Sequence, residues 1–434
     1  MLLDTFGERQ KMRILILVDC YLPSFKSGAK HMHDLGVELR SQGHEVTVLT
    51  PSEAISQRLL ITEEEGLRVV RVMTGKIKGT RKAFRAFQEV RLSTVLWRRA
   101  AHFLRQNSAE LIIFYSPTIF FGALVRRLKS LWRCPAYLIL RDIFPAWVVD
   151  AGILRKGLIY RFFRRKEIEQ YDAADIIAVQ SPANLKYFAR SFPRKRYRLE
   201  VLYNWTALDE PDLPPTNYRT KLGLQNKVVF FYGGNLGLAQ DVDNILRLAI
   251  SLASHTHIYF LLVGDGSEVP RLKSLIAAKQ LRNIQVLPPV GQREYFSMVS
   301  EFDVGLISLD RRLTTHNVPG KLLGYMFWGL PVLASLNPGN DLFEILQKNQ
   351  AGLCFVNGED KNLCAAALRL ASDPELRGTM GKNSRQLLER TFSVQVAVRQ
   401  IMEHLSRTVS AAERVEAMVT VEPLPSIRGF QPDP

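Results

Sequence analysis

Short apolar runs alternate along most of the chain with longer stretches in which hydrophobic positions recur at helical spacing. A run without polar positions indicates a strand buried on both faces, as in a parallel sheet, and the intervening periodicity indicates helices that cover those faces. The predicted strands span residues 13–18, 45–50, 66–73, 111–115, 136–140, 175–180, 227–232, 257–263, 283–287 and 303–309, and a further strand begins at Val332. This alternation predicts an α/β fold in which two doubly wound, Rossmann-like domains face each other across a cleft.

The segment 209–217, DEPDLPPTN, divides the chain because its prolines and acidic residues fit neither pattern. We therefore predict one domain over residues 12–205 and a second over residues 218–390. Residues 407–434 contain four prolines and lack sustained periodicity, which predicts a disordered tail. A length of 434 residues is ample for two such domains.

Glycine-containing turns join predicted strands to predicted helices at three places. The first helix is expected over residues 30–41, after a loop that contains Gly28. In the second half, Gly233-Gly234 follow a strand, and Pro319-Gly320 precede a two-turn helix that starts at Lys321. Backbone amides can approach a phosphate at such turns, and the lysine ammonium would add a positive charge. From these residues alone, an ordinary loop with a solvated lysine remains the alternative.

Local chemistry also predicts a helix start, a helix end and one polar pair. Ser181 is expected to cap a helix with its hydroxyl, with proline at the first helical position. Gly329 is expected to end the helix that starts at Lys321. Arg141 and Asp142 directly follow a buried strand, where doubly wound sheets carry their chemistry. Asp142 could equally cap the next helix.

The net charge of +16 lies in the first half of the chain. Residues 1–200 hold 35 lysines and arginines against 19 acidic residues, whereas residues 201–434 hold 23 of each. Three basic runs with interleaved aromatic residues, over 76–105, 126–133 and 155–166, favour contact with an anionic membrane. Nucleic acid would also suit the charge, but no recognised nucleic-acid-binding motif accompanies it, so no such partner is expected.

Several remaining features bear on the location of the protein and on metal binding. No apolar run approaches the roughly 18 residues of a membrane span, and charges stand where a signal peptide is apolar. We therefore expect a cytoplasmic protein, bound peripherally to the inner face of the plasma membrane. The four cysteines lack paired spacing, and His31, His33 and His44 lack nearby carboxylates at ligand spacing. These histidines are expected to be structural, and no metal is expected.

The order of the motifs resembles that of retaining glycosyltransferases of family 4, which have the GT-B fold. Within that family, the chain is similar to the WbuB-like subgroup that makes bacterial surface polysaccharides. The motifs are the loop at Gly28, RDIFP from Arg141, YNW from Tyr203, GGNLG from Gly233, VGDG from Val263, the loop at Val290 and PGKLLGYMFWGLPV from Pro319. The resemblance runs from about residue 13 to residue 405, which is almost the whole chain.

The resemblance implies transfer of a sugar from a nucleotide diphosphate sugar, UDP-linked in most members, with retention at the anomeric carbon and without a metal or other cofactor. The first domain would hold a glycan or lipid-linked acceptor, the second would hold the donor, and a helix over residues 391–406 would cross back between them. Arg141 and Asp142 would meet the acceptor and the reacting sugar. The donor-binding residues would be Gly28, Gly234, Asn235, Gly237, Gln240, Val290, Gly320 and Lys321.

Three departures from the family pattern keep alternatives open. The first loop has Ser27-Gly28 where two glycines are common in the family. His316 and Gly324 stand at the positions of two family glutamates, and Leu238 and Gln240 replace a basic pair after GGNLG. One alternative is therefore a catalytically degenerate GT-B protein that acts as a binding or partner subunit. Another is a sugar-nucleotide epimerase, which would need a pair of carboxylates for proton abstraction, and none is evident in the second half.

Overall fold

Two separate β-sheets organise the protein, one in each half of the chain. The computed structural model describes residues 11–24, 26–75, 88–150, 152–209, 213, 215–313 and 318–404. The first sheet has eight strands in the order β3-β4-β2-β1-β5-β6-β7-β8, and the second has six in the order β11-β10-β9-β12-β13-β14. The predicted fold class, two Rossmann-like α/β domains of the GT-B type, is confirmed.

The first sheet is parallel except for one edge hairpin. Its strands are β1 (Arg13–Leu17), β2 (Glu45–Ser52), β3 (Leu59–Glu64), β4 (Leu67–Met73), β5 (Leu111–Tyr115), β6 (Ala136–Ile139), β7 (Ile176–Val179) and β8 (Leu199–Val201). The helices of this half are α1 (Ser27–Ser41), α2 (Leu92–Gln106), α3 (Gly122–Trp132), α4 (Ala146–Asp150), α5 (Leu158–Tyr171) and α6 (Pro182–Ser191). Successive residues of β1 point to opposite faces, and both faces are covered by buried hydrophobic clusters.

The second sheet is parallel throughout. Its strands are β9 (Val228–Gly233), β10 (Ile258–Val263), β11 (Ile284–Leu287), β12 (Val304–Ser308), β13 (Val332–Leu336) and β14 (Gly352–Val356). The helices of this half are α7 (Tyr218–Lys221), α8 (Val242–Ser251), α9 (Val269–Ala278), α10 (Gln292–Val299), α11 (Lys321–Phe327), α12 (Leu342–Lys348), α13 (Asp360–Ser372) and α14 (Pro374–Thr391), with a 3₁₀ turn at Leu238–Gln240. Clusters of buried side chains again cover both faces of the sheet.

The end of the described chain returns to the first half. Residues 394–404 are helical, and Val398 and Ile401 are buried in the same cluster as Met32 and Trp205. The two halves are also joined by a hydrogen bond of 3.1 Å from Asn204 Nδ2 to the Val318 carbonyl. Among the described helices, none combines the length and the apolar content that a bilayer crossing requires.

Two local predictions need correction, and one element was not predicted at all. The hairpin of β3 and β4 was not expected, although Glu65 and Gly66 both have positive φ and form the two-residue turn that suits such a hairpin. Helix α1 begins at Ser27, three residues earlier than predicted, so Gly28 lies within its first turn. The hydroxyl of Ser181 does not cap α6.

A carboxylate from the other half of the chain supplies this cap instead. Asp341 Oδ2 accepts a hydrogen bond of 2.9 Å from the Ala183 amide, in the first turn of α6. An acceptor at that position satisfies an otherwise unpaired helical N–H group and suits the positive end of the helix. The contact therefore stabilises α6 and joins the two halves at once.

Candidate active site

The topology of the second sheet determines where a ligand can bind in that half. The chain leaves β9 toward β10 and β11 on one side and occupies β12, β13 and β14 on the other, so the strand order reverses between β9 and β12. Ligands of open α/β sheets bind outside the carboxyl ends of the strands at such a reversal. A cavity of about 600 Å³ lies there, between the two halves. Its lining includes the predicted donor residues Gly234, Asn235, Gln240, Val290, Gly320 and Lys321.

Lys321 supplies an unneutralised positive charge to this cavity. Its side chain is half-buried, and its ammonium lies 3.3 Å from the centre of the Tyr232 ring. The other lysine of the described lining, Lys30, is paired with Asp34 at 2.7 Å, whereas Lys321 has no carboxylate partner among the described residues. Desolvation lowers the pKa of Lys321 well below its usual value. A bound anion would replace the missing partner.

The turn after β9 brings backbone close to this ammonium. Gly234 has φ +120, and a Cβ atom at that position would lie 3.6 Å from Lys321 Cε. The VGDG segment packs directly behind the turn, where a Cβ atom at Gly264 would lie 1.8 Å from the Gly234 carbonyl oxygen. Both positions therefore require glycine, one for its backbone conformation and one for close packing.

Gln240 stabilises the same turn through two hydrogen bonds. Its Oε1 accepts hydrogen bonds from Asn235 Nδ2 at 2.8 Å and from the Gly237 amide at 3.3 Å. Gly237 itself does not line the cavity, unlike the other predicted donor residues of this turn. The structure thus gives Gln240 and Gly237 a part in shaping the turn, and their direct contact with a donor stays a prediction.

One part of the cavity lining is largely apolar. Val290, Tyr295 and Phe296 line it, and the Tyr295 ring packs against Gly233, where a Cβ atom would lie 2.3 Å from the ring. A Cβ atom at Gly324 would meet no atom within 4 Å, so this position opens into empty space. The family glutamate that Gly324 replaces would have room here. His316 lies outside the described residues.

Two further cavities continue from this one into the first half. A cavity of about 370 Å³ shares His31, Gly320 and Pro319 with the donor-side cavity, and it also contacts Gly28 and Arg141. Asp142 lines both this cavity and a third one, of about 770 Å³, that lies entirely within the first half. The three cavities therefore form one path from Lys321, past Asp142, to the first sheet.

The Asp142 carboxyl is open to this path. It makes no hydrogen bond with another described residue, and in particular it does not cap α4. Although it reaches solvent through the cleft, protein surrounds it, and this desolvation raises its pKa, with a smaller effect from the neighbouring Asp19 carboxylate. A carboxyl with a raised pKa is a better proton acceptor than an ordinary aspartate.

Arg141 differs from Asp142 because its guanidinium is already engaged. It donates hydrogen bonds to the carbonyls of Leu202 at 2.6 Å and Tyr203 at 3.1 Å, and it lies 5.2 Å from the Trp205 ring centre. Burial lowers its pKa to about 10. The side chain thus holds the segment that connects the two halves, and its proposed contact with the reacting sugar stays a prediction.

Gly28 allows a close approach inside the first half. A Cβ atom there would lie 2.6 Å from Tyr115 Cε1, so a larger residue would push α1 away from the end of β5. Its neighbour His31 was predicted to be structural, yet its ring lines both interdomain cavities and its buried Nδ1 lacks a hydrogen-bond partner. Desolvation lowers the pKa of His31 to about 3, so the ring is neutral. The sequence pattern gave no sign that His31 borders a cleft.

The described residues offer no group of three or more histidine, cysteine, aspartate or glutamate side chains that could hold a metal ion. The absence of a cofactor stays a prediction.

Comparison with known protein families agrees with this geometry. A family model described as "Glycosyl transferase 4-like domain" matches residues 28–205, and one described as "Glycosyl transferases group 1" matches residues 216–387. The chain belongs to the family 4 glycosyltransferases. The two matched regions correspond to the halves that contain the two sheets, so the cleft between them is the candidate active site of this glycosyltransferase.

Three similar proteins extend the comparison. The glycosyltransferase is 26% identical over 219 residues to a protein named probable glycosyltransferase WbjE from Pseudomonas aeruginosa, a match that spans 50% of this chain and 54% of that one. It is 23% identical over 417 residues to the putative colanic acid biosynthesis glycosyl transferase WcaI from Escherichia coli, covering 91% of this chain and all of that one. The crystal structure of Anabaena HepE with UDP and glucose has a TM-score of 0.66 at 18% identity, with 91% of this chain and 100% of that chain covered.

Proposed function

We propose that this glycosyltransferase moves a sugar from a UDP-linked donor to a glycan or lipid-linked acceptor in bacterial surface-polysaccharide synthesis, with retention at the anomeric carbon. The observation that carries the proposal is the continuous path from the unpaired Lys321 ammonium to the Asp142 carboxyl. One end of this path suits a diphosphate, and the other end has room for an acceptor.

The donor end has the chemistry that a leaving diphosphate needs. When the bond between the anomeric carbon and the diphosphate oxygen breaks, the electron pair and its negative charge remain on UDP. The Lys321 ammonium and the tightly turned backbone at Gly234 are fixed in place before that charge develops, so little reorganisation is required. The apolar lining near Val290 and Tyr295 would receive the base.

The acceptor end would supply the second reactant. An acceptor hydroxyl oxygen forms the new bond to the anomeric carbon and passes its proton to the Asp142 carboxylate. We assign Asp142 to contact with that hydroxyl. Two carboxylates, Asp19 and Asp142, line both cavities of the first half, but Asp19 is paired with Lys26 at 3.6 Å, whereas Asp142 makes no hydrogen bond or ion pair with another described residue. Arg141 would act through the chain segment that it holds.

The names of similar proteins support the choice of donor and pathway. Anabaena HepE has been crystallised with UDP-glucose and with UDP and glucose, and WcaI is named for colanic acid biosynthesis. Surface polysaccharides of this kind are built on carriers at the membrane, so we also propose a cytoplasmic protein that is peripheral to the inner membrane face. The proposal requires no metal.

Nucleotide binding by the purified protein is the first test. Calorimetry with UDP, GDP and dTDP should show binding that is tightest for UDP, and Gly234→Ala should weaken it because the new Cβ strains the positive-φ backbone. Gly378→Ala is the matched control, since that glycine lies on α14 with open space around it. UDP-sugars with membrane lipid extract should then yield a labelled glycolipid.

The outcome also separates the hypothesis of an active transferase from that of a degenerate binding protein. Absence of binding to all three nucleotides would contradict the proposal and favour the degenerate binding protein, with Gly324 as the first residue to restore. Binding without transfer from any UDP-sugar would contradict the proposed transferase activity and support a protein that binds nucleotide without turnover.

A further inference from the structure

The three basic, aromatic runs of the first half differ in where their aromatic rings lie. Residues 76–87 of the first run lie outside the described residues. In the rest of that run, Trp97 is packed between Arg127 at 4.3 Å and Arg105 at 5.4 Å. Trp132 of the second run donates a hydrogen bond of 3.1 Å to the Leu104 carbonyl. These rings hold α2 and α3 together, so they are not available to a lipid surface.

The third run has the opposite arrangement. Of the nine large hydrophobic side chains exposed in the described part of the chain, five fall within residues 147–162. Leu158 is 81% exposed, Ile153 66% and Ile159 64%, and Trp147 and Phe162 complete the set. We call these five residues the apolar patch. Single exposed hydrophobic residues need no explanation, but five of them within sixteen residues of one segment are unusual, and exposed apolar groupings mark interaction sites.

Helix α5 explains why the patch faces outward. Glu167 and Tyr171, on one side of the helix, are fully buried against the domain. Leu158 and Phe162 lie on the opposite side, where a surface helix normally carries polar residues. The first turns of α5 therefore have a second apolar face that no described part of the chain covers.

Positive charges without partners surround this face. Arg155, Lys156, Arg161 and Arg165 are exposed, and none has a carboxylate partner among the described residues. Exposed aliphatic groups flanked by free cations match the surface of an anionic bilayer, which offers an apolar layer beneath negative headgroups.

The patch also leads into the cavity of the first half. The Phe162 ring is 5.5 Å from the Phe163 ring, which is 5.1 Å from Phe144. Phe163, Phe144 and Trp147 line the 770 Å³ cavity that Asp142 also borders. An aromatic path thus connects the exposed face with the candidate acceptor position.

We infer that the apolar patch and its four cations dock onto an anionic lipid bilayer and admit a lipid-linked acceptor directly into the adjoining cavity. The inference deepens the proposed function and rests on it for the identity of the acceptor. A second copy of the chain is a poorer occupant, because an isologous contact would bring the four unpaired cations of each copy together. Nucleic acid would leave the exposed aliphatic side chains of Ile153, Leu158 and Ile159 without a complementary surface.

Vesicle co-sedimentation of the full chain tests the docking step. We expect binding to phosphatidylglycerol-rich vesicles, little binding to pure phosphatidylcholine, and weakening in high salt. Leu158→Ser/Ile159→Ser should lower the partition coefficient at least about tenfold, from the lost apolar burial. Arg155→Gln/Lys156→Gln should lower it about 25-fold, since each basic residue near an anionic surface contributes about fivefold.

Matched variants make the result specific. Leu131→Ser changes an exposed leucine in the second basic run, and Arg194→Gln/Arg196→Gln removes two exposed cations elsewhere in the same half. Both should leave vesicle binding within about twofold. UDP affinity, measured without lipid, should be unchanged in the patch variants. If the wild-type protein does not bind UDP, the proposed function is contradicted. The vesicle result would then still test, independently, whether the apolar patch binds the bilayer.

Three results would overturn the inference. The first is equal binding to neutral and anionic vesicles or to neither, and the second is a loss with Leu131→Ser as large as with the patch variants. The third is a dimer, seen by light scattering, that Leu158→Ser/Ile159→Ser converts to a monomer without an effect on vesicle binding. That result would show that a second copy covers the patch.

Discussion

Replacing Lys321 by methionine should separate ligand binding from folding more sharply than other changes in the cleft. Methionine keeps much of the apolar length of lysine and removes the charge. In the free protein the ammonium lies half-buried on the Tyr232 ring without a carboxylate partner, and its lowered pKa reports that burial disfavours the charge. The variant should therefore unfold at a temperature equal to or above that of the wild type.

The same change should weaken UDP binding strongly. A hydrogen bond to a charged group is worth about 1.5 to 3 kcal/mol, and a half-buried site lies toward the upper part of that range. Because the free protein has already desolvated this ammonium, we expect the variant to lose about 2 to 3 kcal/mol of UDP binding free energy. Because each 1.4 kcal/mol is a factor of ten, the dissociation constant should rise roughly 30- to 150-fold.

Proton uptake provides an independent readout of the same charge. A diphosphate stabilises the charged lysine and so raises its depressed pKa on binding. At a pH where part of the free protein is deprotonated at this site, the wild type should take up protons with UDP, and its affinity should fall as pH rises further. Calorimetry in two buffers of different ionisation enthalpy measures this uptake. Lys321→Arg should bind without it, because arginine stays charged.

Two outcomes would refute the reasoning. A change in the UDP dissociation constant of less than about threefold in Lys321→Met would show that the ammonium does not meet the diphosphate. A free-protein stability that falls by as much as the binding energy would show that Lys321 has a structural role instead.

Three further predictions concern other residues of the cleft. Asp142→Asn should lower the transfer rate about 10²- to 10⁴-fold with little change in UDP affinity. The control Asp172→Asn, at a surface pair with Lys195, should leave the rate unchanged. Loss of UDP binding in Asp142→Asn would contradict its acceptor-side role. Gly324→Glu should fold normally, because its Cβ meets open space. It should bind UDP about tenfold more tightly than Gly324→Gln. Weaker binding would show that the open space does not adjoin the nucleotide. His31→Gln should reduce acid sensitivity, measured by urea unfolding at pH 7 and pH 5. The pKa of His31 falls from 6.5 to about 3 on folding, so between those values the unfolded state binds more protons and stability decreases as pH falls. At pH 5 the loss of folding stability from His31 amounts to about 2 kcal/mol. An unchanged pH dependence of stability in the variant would contradict a buried neutral ring.

The sequence by itself determined most of the secondary structure and the turns that are predicted to bind the donor. Apolar runs predicted the parallel strands because a strand covered on both faces has no polar positions, and β5 was predicted over residues 111–115 as observed. Lys321 begins α11 and Gly329 follows it with φ +64, as local helix-ending chemistry predicted. These features depend on residues close together in the chain, so the sequence pattern carries them.

Tertiary structure alone decided which of these residues meet and which stay free. Asp341 caps α6 from a position 158 residues away, and no local pattern reports such a distance. Arg141 and Asp142 are neighbours in sequence, yet one is engaged by backbone carbonyls and the other faces the cleft. Likewise, three basic runs with aromatic residues had the same sequence pattern. Packing of α2 against α3 engaged Trp97 and Trp132, in the described parts of the first two runs, and left Leu158, Ile159 and Phe162 of the third exposed. Periodicity predicts that a helix has an apolar face and does not predict which partner covers it.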